Sequence, residues 1–434
     1  MRMGRSKRGQ HAEIIHDWNL IRPPVKPSQP FDLNDETLRD GLQSPSVSDP
    51  SLEDKLELLE LMQAVGVRAA DIGLPGAGKR AFQDVVAQAR HIRRKRLKVE
   101  PNCAARTLLA DIKPVAAAVQ ASGQKIVLYT FIGSSPIRQW VETWDLDFIL
   151  RSSSEAIDFA VKEGLEVAYV TEDTTRSAPQ NLDRLFRNAI ERGASRLVLC
   201  DTAGHATPSG TRELVQWTQA LISGTGTAVK IDWHGHNDRG LAVVNALAAL
   251  EAGVNRAHGC GLGIGERVGN TSMDLLLLNL KLMGWIDYDL SKLVRYVQKI
   301  SEFCKFPIPR NYPLSGVDAF RTATGVHASA IIKAKRLGDD WLADRVYSGV
   351  PAAEFGKEQQ IEIGHMSGMS NVRFWLELRG IPIKEELCQD LLRCAKGSSA
   401  TLTEEEILAV VERHRTPSKR PVRAVRGAAR AARG

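Results

Sequence analysis

The chain has 434 residues, 43% of them hydrophobic and 25% charged, an ordinary soluble-protein composition with room for one large domain and a smaller one. No apolar run approaches the roughly 20 residues needed to span a bilayer, and the N-terminus has no apolar signal core, so the sequence reads as cytosolic. The formal charge of +7 is concentrated in the termini, which hold 12 of the 58 basic residues and leave an acidic body. That distribution argues against nucleic acid as the principal partner.

In chain order, residues 1–28 form a basic, Pro-containing leader. Short apolar runs then begin near Phe31, Val67, Leu97, Lys125, Glu166, Arg196, Val229 and Asn255. Helix-like stretches separate them at Leu52 to Val65, Arg80 to Arg90, Leu108 to Ala121, Leu150 to Glu163 and Leu182 to Arg192. About eight βα units within about 250 residues predict a (β/α)8 TIM barrel over 29–285, with a doubly wound open sheet as the alternative. From 286 to 412 the alternation stops; helices over Leu290 to Phe303, Glu386 to Ala395 and Glu404 to Arg413, the last capped by Thr403, predict a smaller, mainly helical region. Residues 413–434, rich in Ala, Arg, Gly and Pro, read as a disordered solubilising tail.

The six cysteines (103, 200, 260, 304, 388 and 394) form no C-x-x-C pair and read as reduced thiols, those at 103, 200 and 260 as small buried side chains. His234-Gly235-His236 closes the seventh strand, where residues two apart share a face and two imidazoles can reach one ion. Asp35 to Gln43 follows the first strand and Gly261 to Asn270 the eighth, so a barrel would gather all three segments at its C-terminal face. Two histidines and a carboxylate suit a divalent ion. Gly261 to Gly265 lacks dinucleotide-loop spacing and reads as a flexible loop carrying Glu266 and Asn270.

DETLRDGLQSP, TFIGSSPIR, TEDTTRS, DTAGHATP, HGHNDRGLAVVNALAALEAG and GIGERVGNTS, in that order, resemble the signatures of the DRE-TIM metallolyase superfamily. Within it, the chain from about Phe31 to about Gly380 most resembles the 2-isopropylmalate, homocitrate and citramalate synthases. The resemblance implies condensation of an acyl-CoA with a 2-oxo acid, helped by Mn2+, Mg2+ or Zn2+ on Asp40, His234, His236 and Asn270. It implies that Arg39 stabilises an enolate or alkoxide oxygen, that Thr202 holds the 2-oxo acid carboxylate, and that Glu172 contacts substrate. Residues at the same mouth (Gln43, Asp71, Tyr129 and Glu266) would bind substrate. His327 and Tyr347 resemble a pair that the C-terminal region lends to a partner's active site, which implies a homodimer with shared sites. A hydroxyl bonded to local backbone for Thr202 and an ion pair with Arg176 for Glu172 are the plainer alternatives.

The sequence departs from the synthase pattern at Leu42, where RDGLQ matches 3-hydroxy-3-methylglutaryl-CoA lyases, at Asp71, usually Glu, and at Tyr129, usually His in isopropylmalate synthases. Carbon-carbon cleavage of a 3-hydroxyacyl-CoA is therefore the alternative reaction, though GIGERVGN stands where the lyases have a cysteine-containing loop. A nucleic-acid-binding protein acting through the basic tails is a weaker alternative. About 60 residues follow Gly364 to Asn371, too few for a leucine-binding regulatory domain, so no such feedback inhibition is expected.

Overall fold

The computed structural model describes residues 14–21, 23 and 25–415. Most of the basic leader's charge and the tail from 416 lie outside the described residues. Eight parallel strands close into a barrel in sequence order: β1 (Asp32–Asp35), β2 (Ala69–Asp71), β3 (Glu100–Arg106), β4 (Val127–Gly133), β5 (Val167–Glu172), β6 (Arg196–Asp201), β7 (Lys230–Gly235) and β8 (Arg256–Gly259). The ring is completed by β1 against β8, with Asp35 opposite Gly259. Closure excludes the open sheet.

Helices follow most strands: α1 (Leu52–Ala64), α2 (Lys79–Lys95), α3 (Leu109–Ser122), α4 (Pro136–Glu142), α5 (Leu146–Lys162), α6 (Pro179–Glu191), α7 (Pro208–Ser223), α8 (Ala242–Ala252) and α9 (Met273–Leu282). Their starts are written locally. Ser51 and Asp54 form a reciprocal capping box on α1, worth about 1 kcal/mol. Thr207 caps α7 with Pro208 at its first position, where the missing N–H costs nothing. Strands β3 to β6 are nearly continuous buried runs, as a sheet covered on both faces requires.

By compactness the chain forms two units. One runs to Ala319 and includes Glu354–Gly356; it holds the barrel and α10 (Leu293–Phe303). The other comprises Phe320–Ala353 and the chain from Lys357. It contains α11 (Gly325–Arg336), α12 (Asp340–Arg345), α13 (Met369–Leu378), α14 (Glu385–Gly397) and α15 (Glu404–Arg415). Ile363, Val372, Trp375, Leu376, Leu387, Leu391 and Ile407 build its core. Thr403 caps α15 through Glu406. A two-residue parallel ladder, β9 (Arg321–Thr322) with β10 (Gln360–Ile361), is too short to leave a period in the sequence. No helix among the described residues is long and apolar enough to cross a membrane.

Candidate metal centre

Three segments converge at the C-terminal ends of the barrel strands. Asp40 follows β1, His234 lies near the end of β7, and His236 lies one residue past it. Asp40 Oδ2 is 3.9 Å from His234 Nε2 and 3.7 Å from His236 Nε2, and one ligand atom from each residue falls within 4.8 Å of the others. All three side chains are buried or nearly so. Burial works against charge on Asp40, but the Arg39 guanidinium and the His234 ring outweigh it and hold its carboxyl below the usual range. Burial and the neighbouring His234 push His236 down to about 4, so its ring is neutral near neutral pH, as a ligand must be.

The polar atoms left over at this point are those a cation would satisfy. Asp40 Oδ2 and Asn270 Oδ1 are buried without a hydrogen-bond partner among the described residues. Asn270 forms an isolated bridge with His236 and turns its amide nitrogen to the Ile264 carbonyl at 3.1 Å, which leaves its oxygen free. An oxygen, two imidazoles and an amide oxygen fit a divalent ion with open positions.

Asn270 owes its place to a tightly built loop. Its backbone N–H donates to Gly263 O at 3.1 Å, and Gly269 sits at φ +88, where a Cβ would lie 1.7 Å from that same carbonyl. The segment that reads as a flexible glycine loop is thus closely hydrogen-bonded, with Glu266 exposed at its tip.

Beside the histidines lies Arg39. Its Nε is 2.7 Å from Asp71, one terminal nitrogen is 2.7 Å from Asp40, and the other is 3.5 Å from Glu36. Burial opposes its charge, but these carboxylates keep it firmly protonated. A cavity of about 250 Å3 opens above, lined by Arg39, Asp40, Gln43, Tyr129, Glu172, Thr202, His234, His236 and Glu266 among others. Asp71 is 1% exposed and sits behind Arg39 instead of in the cavity lining. Tyr129 lines the floor, its hydroxyl donating to Asp232 at 2.9 Å and accepting from Arg256 at 3.0 Å. Thr202 Oγ1 accepts the Asp173 N–H at 2.9 Å while facing the cavity.

The pairing of Glu172 with Arg176 does not form. Asp173, in a left-handed turn at φ +61, takes Arg176 itself at 2.7 Å, and Glu172 faces Arg138 at 3.8 Å. Burial raises the Glu172 carboxyl above its ordinary range, with Arg138 working against it. In the other unit, His327 and Tyr347 stack at 4.0 Å between ring centroids, both exposed.

Sequence reading missed the layer beneath the candidate metal ligands. Glu36 Oε2 lies 2.7 Å from His234 Nδ1, and its Oε1 lies 2.9 Å from His258 Nδ1. His258 Nε2 reaches Asp232 at 3.1 Å, and Asp232 pairs with Arg196. The two carboxylates overcome burial and raise His258 to about 9, while Arg196 and His258 hold Asp232 down at about 2. Asp232 and His258 are buried polar residues within β7 and β8, and that polar intrusion was the available signal. The thiols at 103, 200 and 260 are buried, and burial raises each well above its usual range, which disfavours the thiolate form.

Residues 31–300 match the family model described as HMGL-like. The homocitrate synthase AksA of Methanopyrus kandleri is 31% identical over 84% of this chain and 86% of its own length. A homocitrate synthase of Pyrococcus horikoshii is 30% identical over 88% and 99%, and a probable 2-isopropylmalate synthase of M. kandleri is 30% identical over 83% and 68%. Among solved structures, hydroxymethylglutaryl-CoA lyase from Pseudomonas aeruginosa superposes with a TM-score of 0.53 at 21% identity, over 63% of this chain and 92% of that one, which is a likeness of fold. With a matched model spanning the whole barrel and relatives of this similarity along most of its length, the chain belongs to the HMGL-like family.

Proposed function

We propose that this protein is a divalent-metal-dependent acyltransferase that condenses an acyl-CoA, acetyl-CoA foremost, with a 2-oxo acid and then hydrolyses the thioester. The observation that carries the reading is the meeting of Asp40, His234 and His236 beside the Arg39 guanidinium at the mouth of the barrel. Asp40, His234, His236 and Asn270 would hold Mn2+, Mg2+ or Zn2+, which supplies Lewis-acid polarisation of a keto carbonyl. Arg39 presents a fixed planar fork to the oxygen on which charge develops, and its three carboxylate partners prevent it from reorienting during the reaction. Thr202 and Gln43 offer polar groups to the substrate carboxylate, and Glu172 and Glu266 stand at the rim where the thioester would enter.

The relatives named as homocitrate and 2-isopropylmalate synthases support this direction of chemistry. His327 and Tyr347 would serve the proton transfers from the second subunit of a homodimer, a reading that rests on their resemblance to the synthases' pair. Cleavage of a 3-hydroxyacyl-CoA is the second reading, favoured by Leu42 in RDGLQ. Free CoA released from acetyl-CoA on addition of a 2-oxo acid, with no acetoacetate from 3-hydroxy-3-methylglutaryl-CoA, is the expected result. Acetoacetate production would transfer the assignment to the lyase.

A further inference from the structure

We propose that the 2-oxo acid taken by this cavity carries a short, uncharged aliphatic side chain and not a second carboxylate. The inference rests on the synthase reading for its 2-oxo acid, and on the cavity wall for everything else.

The wall away from the metal ligands is contributed by the middle strands. Ala104 of β3, Phe131 of β4, Val170 of β5 and Val198 of β6 face the cavity, with the ring of Tyr129 and the Cys200 side chain between them. Phe131 and Val170 are only partly buried, so their side chains form the accessible apolar surface and do not merely pack behind it. At about 250 Å3, the cavity is smaller than the roughly 300–1,000 Å3 typical of drug-sized ligands. It suits a substrate of a few carbons.

Charge in the lining points the same way. Among the described residues no lysine lines the cavity, and Arg39 is the one guanidinium in the lining, already shared among Asp71, Asp40 and Glu36. Both ring nitrogens of His258 are already engaged, Nδ1 by Glu36 at 2.9 Å and Nε2 by Asp232 at 3.1 Å. The neighbouring Arg138 faces Glu142 at 3.2 Å and Glu172 at 3.8 Å, and Arg267 is held by Asp238 at 2.8 Å. Four carboxylates, Glu36, Asp40, Glu172 and Glu266, line the same space. A bound dication would balance one substrate carboxylate at the ligand end, but nothing in this lining would pair a second. An unpaired carboxylate against Val170 and Phe131 would lose its hydration without recompense.

The test is calorimetric binding to the Mn2+-loaded enzyme, run beside the CoA-release assay, with pyruvate, 2-oxobutyrate, 2-oxoisovalerate and 2-oxoglutarate. At least one of the three aliphatic acids should bind on the order of 100-fold more tightly than 2-oxoglutarate, and kcat/KM should follow the same order. Equal or tighter binding of 2-oxoglutarate overturns the inference, whatever the turnover. Binding in the expected order with no CoA released from acetyl-CoA upholds the cavity assignment and overturns the synthase reading instead. Val170→Arg, which adds a guanidinium to the wall, should shift relative affinity toward 2-oxoglutarate by about 10-fold or more, while Val170→Leu should not. A Val170→Arg protein with wild-type melting temperature and no such shift would remove Val170 from the side-chain subsite.

Discussion

Glu36 bridges two histidines on different strands, reaching His234 Nδ1 at 2.7 Å with one oxygen and His258 Nδ1 at 2.9 Å with the other. It thereby leaves His234 Nε2 as the nitrogen that would face a bound ion. Burial works against the Glu36 charge, but the two rings hold its carboxyl well below the usual range, so the bridge is anionic near neutral pH.

Glu36→Gln replaces that acceptor with an amide that can serve one ring and must oppose the other. Metal affinity should fall about 10–100-fold, as is usual when the partner of a metal-binding histidine is lost. Titration of the metal-free protein with Mn2+ measures it. Unchanged affinity would show that the bridge shapes the barrel interior and leaves the ligand untouched.

His258 gives the barrel a pH-dependent term. Its folded pKa of about 9 exceeds the ordinary 6.5, so the stabilisation is complete below about pH 6.5 and disappears as pH rises through about 9. The full amount is on the order of 3 kcal/mol. Urea midpoints of the metal-free protein should therefore decline over that window, and the decline should be much smaller in His258→Asn. Parallel slopes in the two proteins would place the titrating group elsewhere.

The ligand set can be checked directly. His236→Ala or Asp40→Ala should abolish turnover and lower bound metal together, since each removes one of few donors. Metal content near stoichiometric and a rate near wild type in either variant would dismantle the centre as assigned.

Arg39→Lys keeps a positive charge but loses the planar fork that spans Asp71, Asp40 and Glu36. Folding and metal content should persist while kcat drops on the order of 100-fold. A rate within a few-fold of wild type would make Arg39 a structural link between β1 and β2.

The barrel was legible because short strand-like runs, most apolar in β4 and β6, alternate with helix-like stretches, and the expected starts lie close to those observed. The HxH spacing likewise carried its meaning locally, since strand alternation alone puts both rings on one side. What escaped was long-range. Glu36 and His234 are 198 residues apart and Glu36 and His258 are 222 apart, so no local pattern joins them. The plainer alternative for Glu172, an ion pair with Arg176, fails because the left-handed turn at Asp173 gives the guanidinium a closer acid. Helix α4 was missed although Ser135 and Pro136 are an ordinary helix start, because its seven residues are too few to show a period.

The proposed sharing of active sites has a test that does not depend on any single variant's stability. A His236→Ala homodimer and a His327→Ala homodimer should each be nearly inactive. If His327 serves the partner's barrel, a heterodimer of the two has one site with both lesions and one with neither. Refolding an equal mixture makes half the dimers heterodimers, so activity should recover to about a quarter of wild type. If His327 instead serves its own subunit, every site in the heterodimer carries one lesion and the mixture stays inactive. Differently tagged chains establish that exchange took place, so an inactive mixture with exchange confirmed would refute sharing while leaving the barrel's metal centre intact.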